Sequence, residues 1–291
     1  MKLLSHNNCI FRIIYFRSSV IFGLLLFVSS GINANELRSV EDDVLPEEVN
    51  TGSLIELEKI KIYFGHQSVG LNIIDGIKDV IAQSDRAKLN IYDVGEFNKD
   101  YQSGLFHSKI GNNRDPESKI NEFIKVINEL NGQIDFGALK FCYVDFDKNT
   151  DIKALFNKYE NAINKLSEYY PDIRFIHVTV PLKTIDEITW KVKIKQLLGF
   201  EKIRELGEYY NNIKRNEYND LMRKKYSQVG LLFDLAEIES THMDGKRAVY
   251  FIDGKQYYAL VPEYTDDGGH LNSTGRSIVA DKFLLFISTS K

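Results

Sequence analysis

From Lys59 onward, short apolar or β-branched runs alternate with longer stretches in which apolar residues recur every three to four positions. The short runs predict strands at Lys61 to Phe64, Leu89 to Val94, Gly137 to Val144, Arg174 to Val180 and Leu231 to Leu235. Helical periodicity predicts helices at Leu71 to Ala82, Glu117 to Leu130, Ile152 to Glu168 and across a long amphipathic region from about Asp186 to Lys225. Strands separated by helices of this length are joined by right-handed crossovers, which makes a mostly parallel sheet covered on both faces. The expectation is a three-layer α/β/α sandwich on five strands.

Two stretches depart from that rhythm. Ala248 to Leu260 reads as two strands about Asp253-Gly254, the strongest short hairpin signal. Ile185 to Gly207 is longer than a crossover requires and is expected to form a lid or cleft wall near the strand ends. The amino terminus differs again: a basic stretch ending at Arg17 precedes the apolar run Val20 to Val28 and then Ser-Ser-Gly-Ile-Asn-Ala. That layout is a secretory signal, expected over residues 1 to 34 with cleavage after Ala34. Retention as an amino-terminal anchor is the alternative, although the uncharged stretch is short and polar for a span. Residues 35 to 58 read as an acidic lead-in, and 59 to 291 as one domain.

Composition narrows the partners. Lys2, Arg12 and Arg17 are the only charges before Glu36, so the rest carries 34 basic against 41 acidic residues, about −7. Such a surface holds phosphates poorly, and no basic stripe offsets it, so no nucleic-acid partner is expected. Cys9 and Cys142 are the only cysteines, which excludes a disulfide framework, a zinc finger and a redox CxxC pair.

Candidate chemistry lies where strands end, because doubly wound sheets place their sites there. The first strand runs into Gly65-His66-Gln67-Ser68, followed at once by a helix. A serine there has its hydroxyl at the mouth of the sheet beside free helix amides, so Ser68 can serve as a nucleophile whose own N–H helps hold an oxyanion. Serine is also a common helix cap, and the position alone admits both readings. Near the carboxyl terminus, Asp267-Gly268-Gly269-His270 lets one tight turn present both side chains. Asp267 would fix the His270 tautomer, leaving the other ring nitrogen for a nucleophile. A solvent-facing turn is the other reading. His66 is expected to line the site. His107, His177 and His242 carry no ligand spacing and are expected to be structural or exposed. Phe97, Tyr101 and Phe106, read as part of a long loop, either line the cleft or cover the sheet edge.

An early Ser, a late Asp-x-x-His and parallel strands between them resemble the SGNH/GDSL hydrolases, esterases and acylhydrolases with a flavodoxin-like sandwich. Asp267-Gly268-Gly269-His270-Leu271-Asn272 with Gly275 is similar to that family's last motif. Thr179-Val180-Pro181-Leu182, Tyr218-Asn219-x-Leu221 and Phe233-Asp234-Leu235 are consistent with it. Gly65-His66-Gln67-Ser68 stands in place of the family's Gly-Asp-Ser. The oxyanion glycine and Gly-x-Asn-Asp blocks have no plain copy, and their nearest counterparts are Gly111 and Asn113 ahead of the Glu117 helix, where ordinary turn chemistry is an equal reading. Asp145 occupies the end of the third strand and is expected to be structural or substrate-orienting, because an ionised carboxylate would repel an oxyanion.

The resemblance implies a Ser68–His270–Asp267 triad forming an acyl-enzyme from an ester on a glycan or a small acyl ester, without a cofactor. A polysaccharide O-acyltransferase would share that chemistry and differ only in the acceptor. A metal-dependent hydrolase gathering His66, Asp145, Asp267 and His270, and a non-catalytic glycan-binding protein on the same fold, are the rivals from other classes.

Overall fold

The computed structural model describes residues 57, 59–83, 89–94, 103–186, 198 and 207–290. The amino-terminal segment, Phe97, Tyr101 and most of the stretch between Ile185 and Gly207 lie outside the described residues. Among those described, no helix is long and apolar enough to cross a membrane.

β1 (Lys61–His66) leads into α1 (Val69–Ala82). β2 (Ile91–Asp93) and β3 (Gly104–Lys109) follow, then α2 (Pro116–Leu130), β4 (Phe136–Leu139), α3 (Ile152–Tyr169) and β5 (Arg174–Val178). α4 (Gly207–Tyr226), β6 (Leu232–Phe233), α5 (Leu235–Glu239), the pair β7 (Val249–Ile252) and β8 (Lys255–Tyr258), and α6 (Ser273–Thr289) complete the fold. The main sheet has the order β2-β3-β1-β4-β5-β6, and all its pairings are parallel.

The layers follow from the two-residue period of β1. Ile62 and Phe64 face one way, into a core completed by Ile73, Ile74 and Ile77 of α1 and Val279, Phe283 and Leu284 of α6. Tyr63 faces the other way, into a core shared with Phe123 and Ile127 of α2, Tyr159 of α3 and Tyr218 of α4. α1 and α6 approach closely because Gly76 has no side chain: a Cβ there would lie 2.5 Å from the Arg276 carbonyl oxygen. The three-layer sandwich and the hairpin match expectation. In the hairpin, Asp253 and Gly254 have φ of 51° and 76°, the left-handed pair that a two-residue turn requires.

One strand was not foreseen. β3 inserts between β2 and β1, so the sheet has six strands rather than five, and Phe106 belongs to a buried strand rather than a long loop. Its sequence, Gly-Leu-Phe-His-Ser-Lys, shows neither an apolar run nor clean alternation. It is a strand because Tyr63 Oη hydrogen-bonds Ser108 Oγ at 2.8 Å and His107 finds a ring partner in His66, so its polar groups are satisfied inside.

The order places a switch point between β1 and β4, since α1 leaves β1 over one face of the sheet and α3 leaves β4 over the other. Ser68, immediately after β1, and residues 140–145, immediately after β4, therefore share the carboxyl edge of the sheet.

Candidate active site

Ser68 occupies the N-cap position of α1, but its side chain makes no cap hydrogen bond. Its Oγ is instead in hydrogen-bonding contact with Cys142 Sγ, at 3.2 Å. Ordinary capping therefore does not account for this serine. The turn that carries it is tight: the Gln67 carbonyl accepts from Gly70 N–H at 2.7 Å, and Gly70 must be glycine because a Cβ would lie 2.3 Å from His66 Cβ.

The last loop supplies the Asp–His pair. Gly268 adopts a φ of 80°, and Asp267 Oδ1 then accepts from the backbone N–H groups of Gly269 and His270 at 2.9 and 2.8 Å. Its Oδ2 lies 2.6 Å from His270 Nδ1. Burial acts to raise the Asp267 pKa, but the His270 ring and the two amides outweigh it and hold the carboxylate well below its usual range. Paired this way, His270 turns Nε2 toward the hydroxyl of Tyr143, at 3.4 Å. Gly269 makes this approach possible, since a Cβ there would come within 2.9 Å of Tyr143 Cζ. The loop is tied to the first turn of α1 by a hydrogen bond from Leu271 N–H to Asn72 Oδ1, at 3.2 Å.

The candidate nucleophile and base thus meet through adjacent residues, Cys142 holding Ser68 and Tyr143 holding His270. Asp267 and His270 are paired, whereas Ser68 Oγ faces Cys142 Sγ rather than His270 Nε2. Tyr143 is the functional candidate that sequence reasoning missed. Burial, reinforced by the Asp267 charge, pushes its pKa up to about 12, so at neutral pH its hydroxyl keeps its proton and can donate. The sequence carries its signal in Phe141-Cys142-Tyr143-Val144-Asp145, just past β4.

The other candidates are engaged elsewhere. His66 does not line the site: it is fully buried, with Nε2 3.1 Å from His107 Nδ1. As the last residue of β1 it shares the face of Phe64, so the strand period sends it under α1. Burial, aided by the Lys140 charge, pushes its pKa down to about 3 and keeps it neutral. Gly111 offers no amide to an oxyanion, because its N–H donates to Glu122 Oε2 at 2.7 Å. Asn113 Oδ1 accepts from Lys119 Nζ at 3.2 Å. Asp145 is structural: Oδ2 pairs with Lys119 Nζ at 2.5 Å, both side chains fully buried, and the carboxylate also accepts from the Cys142 and Arg114 amides. It fixes the turn that presents Cys142 and Tyr143.

His107 is buried as well. His177 stacks on Tyr226 with 3.4 Å between ring centroids, and His242 pairs loosely with Glu263. With His66 on His107 and Asp145 on Lys119, neither joins Asp267 and His270, and the described residues contain no group of three His, Cys, Asp or Glu side chains suited to a metal ion.

Beside Tyr143 opens a cavity of about 630 Å³, lined among others by Arg114, Asp147, Lys183, Glu208, Asn211 and Arg215. Arg215 is buried and held by Glu208 and the Tyr143 carbonyl, so it braces the Tyr143 backbone. Lys183 lies 5.5 Å from the centre of the Tyr143 ring.

No family model and no curated protein matches the chain. Solved structures with a related outline include the periplasmic domain of a lipopolysaccharide acetyltransferase from Salmonella ser. Paratyphi A, at 17% identity over 80% of this chain and 85% of that one, TM-score 0.42. An extracellular lipase from Streptomyces rimosus shares 9% identity over 79% of this chain and 99% of its own, TM-score 0.40. Phospholipase A1 from Streptomyces albidoflavus NA297 shares 10% over 79% and 98%, TM-score 0.37. Likeness of this degree concerns the course of the backbone and does not extend to the chemistry of this chain.

Proposed function

We propose that this chain is a serine-dependent acyl-ester hydrolase. The observation that carries the reading is the Asp267–His270 pair, whose outer ring nitrogen is turned toward Tyr143 at the sheet edge where Ser68 presents an uncapped hydroxyl. For reaction, Ser68 Oγ exchanges its contact with Cys142 for His270 Nε2, and the Tyr143 hydroxyl releases that nitrogen. His270 then takes the Ser68 proton as Oγ attacks the ester carbonyl, and Asp267 stabilises the imidazolium. Ser68 N–H and the protonated Tyr143 hydroxyl are the donors proposed for the oxyanion, in place of Gly111 and Asn113. His270 returns the proton to the departing alcohol, and a water activated the same way releases the acyl group.

The substrate proposed is an ester on a glycan or a small acyl ester. The cavity beside Tyr143 combines charged and amide side chains with Pro116, Tyr143, Val144 and Phe146, a mixed lining that suits the hydroxyls and the apolar ring faces of a sugar. The same cavity can seat a sugar hydroxyl as acceptor, so O-acyl transfer is the second reading. Export, with residues 1 to 34 as the signal, and the lack of a nucleic-acid partner belong to the same proposal.

Hydrolysis of p-nitrophenyl acetate by the full chain tests it, with Ser68→Ala and a chelator-treated sample alongside. Turnover that persists with chelator and falls by about 10⁴-fold or more in the variant is the expected result. Turnover unchanged in Ser68→Ala would end the serine reading, and turnover lost only with chelator would favour a metal hydrolase.

A further inference from the structure

Lys140, close to Ser68, is a residue whose presence folding does not explain. It follows β4 directly and is fully buried. Its backbone N–H continues the sheet by donating to the Gly65 carbonyl at 3.0 Å, so any residue could satisfy the backbone there. Burying an ammonium group costs several kcal/mol, and an apolar side chain of similar length would be neutral or stabilising in its place. The Lys140 ammonium ends 3.4 Å from the carbonyl oxygen of Gln67, the residue immediately before Ser68.

That carbonyl and the Ser68 N–H belong to one peptide unit. The unit is planar and trans, so its C=O and N–H point in opposite directions. A cation fixed on the oxygen therefore sets the direction of the Ser68 N–H and draws electron density away from it, which makes it a stronger donor. Gly70 N–H binds the same oxygen and holds it from within the turn.

An acid is buried near Lys140 as well. Glu239, at the end of α5, is fully buried; its Oε2 accepts from Leu182 N–H at 3.0 Å, and its Oε1 has no partner among the described residues. Burial pushes its pKa up to about 8, moderated by the Leu182 amide and the Lys140 charge. Burial pushes the Lys140 pKa down, while Cys142, Glu239 and Asp145 act to raise it and Lys119 to lower it.

We propose that Lys140 is a positioning residue for the oxyanion donor: its ammonium anchors and polarises the Gln67–Ser68 peptide so that Ser68 N–H faces the reacting carbonyl. This rests on the serine reading above. Loss of one oxyanion donor costs about 10²–10³ in kcat, so weakening one by releasing its peptide should cost about 10- to 100-fold.

The test is Lys140→Met in the full chain. The expected result is kcat for p-nitrophenyl acetate down by about 10- to 100-fold, KM within about twofold, and a thermal midpoint equal to or above the parent's. A purely structural lysine would give a lower midpoint and an unchanged kcat per folded molecule, which would overturn the proposal. Hydrogen exchange at the Ser68 amide reads the peptide without any substrate: exchange faster by about tenfold in the variant supports the anchor, and unchanged exchange overturns it. Because Ser68→Ala tests the nucleophile separately, a failed anchor and a failed nucleophile leave different patterns. Lys140→Leu is the second variant should Lys140→Met not fold, read by the same kcat and exchange outcomes.

Discussion

The loop ahead of α2, residues 110–115, and the loop ahead of α6, residues 264–272, both run from the carboxyl edge of the sheet into a helix N-terminus. Both are rich in Gly, Asn and Asp, and both end in a side chain that caps its helix, Asp115 on Ser118 N–H and Asn272 on Gly275 N–H, each at 3.1 Å. Beyond that they diverge. In the first, Gly111 N–H goes to Glu122, Asn113 meets Lys119, and Lys119 pairs with Asp145 beneath. Every polar group considered there for catalysis is engaged in holding the loop. In the second, one carboxylate oxygen of Asp267 satisfies the loop's amides, which leaves the other to orient His270. The difference lies beneath the loops. α2 presents Lys119 and Glu122 to the first, whereas the second meets the Tyr143 edge, which needs room at Gly269 and engages only the outer nitrogen of His270.

The comparison can be broken most severely at Asp267. Asp267→Asn keeps an oxygen for the two amides but cannot hold the correct His270 tautomer, so kcat should fall by about 10³–10⁴-fold. The thermal midpoint should barely move, because the side chain is 56% exposed. Wild-type turnover in this variant would place His270 among ordinary surface residues.

In the first loop the prediction is reversed. Lys119→Met leaves Asp145 buried without its cation and should cost about 3–5 kcal/mol in denaturant unfolding. Activity per folded molecule should stay within a few-fold of the parent's. A loss of 10² or more in a variant shown to be folded would return residues 110–115 to the reaction. The smallest effect is expected at Asn113→Ala, where an exposed side chain loses one contact with Lys119. Turnover should remain within about twofold, and a larger fall in kcat at constant KM would restore Asn113 as an oxyanion donor.

How legible each part was depended on whether its partners are near in sequence. α1, α2 and α3 were read to within two residues because amphipathic period and caps are local, and the Asp253-Gly254 turn was read because both residues must take positive φ. β3 was missed because its justification is distant: His107 and Ser108 look like loop residues until His66 and Tyr63 are placed opposite them. His66 was placed at the site mouth for the same reason. Its neighbour in sequence is the candidate nucleophile, but its neighbour in space is His107.

By itself the sequence determined the alternation of strands and helices, the parallel sheet that follows from crossover geometry, and the pairing of Asp267 with His270, which one tight turn makes on its own. Only the tertiary structure decided that Tyr143 meets His270, that Cys142 rather than a capping bond holds Ser68, that Glu122 takes the Gly111 amide, and that Lys140 ends on the Gln67 carbonyl. Each of these joins residues eleven or more positions apart. Local patterns fix what the backbone does, whereas the partner of a polar side chain depends on which distant group the packing brings within about 3 Å.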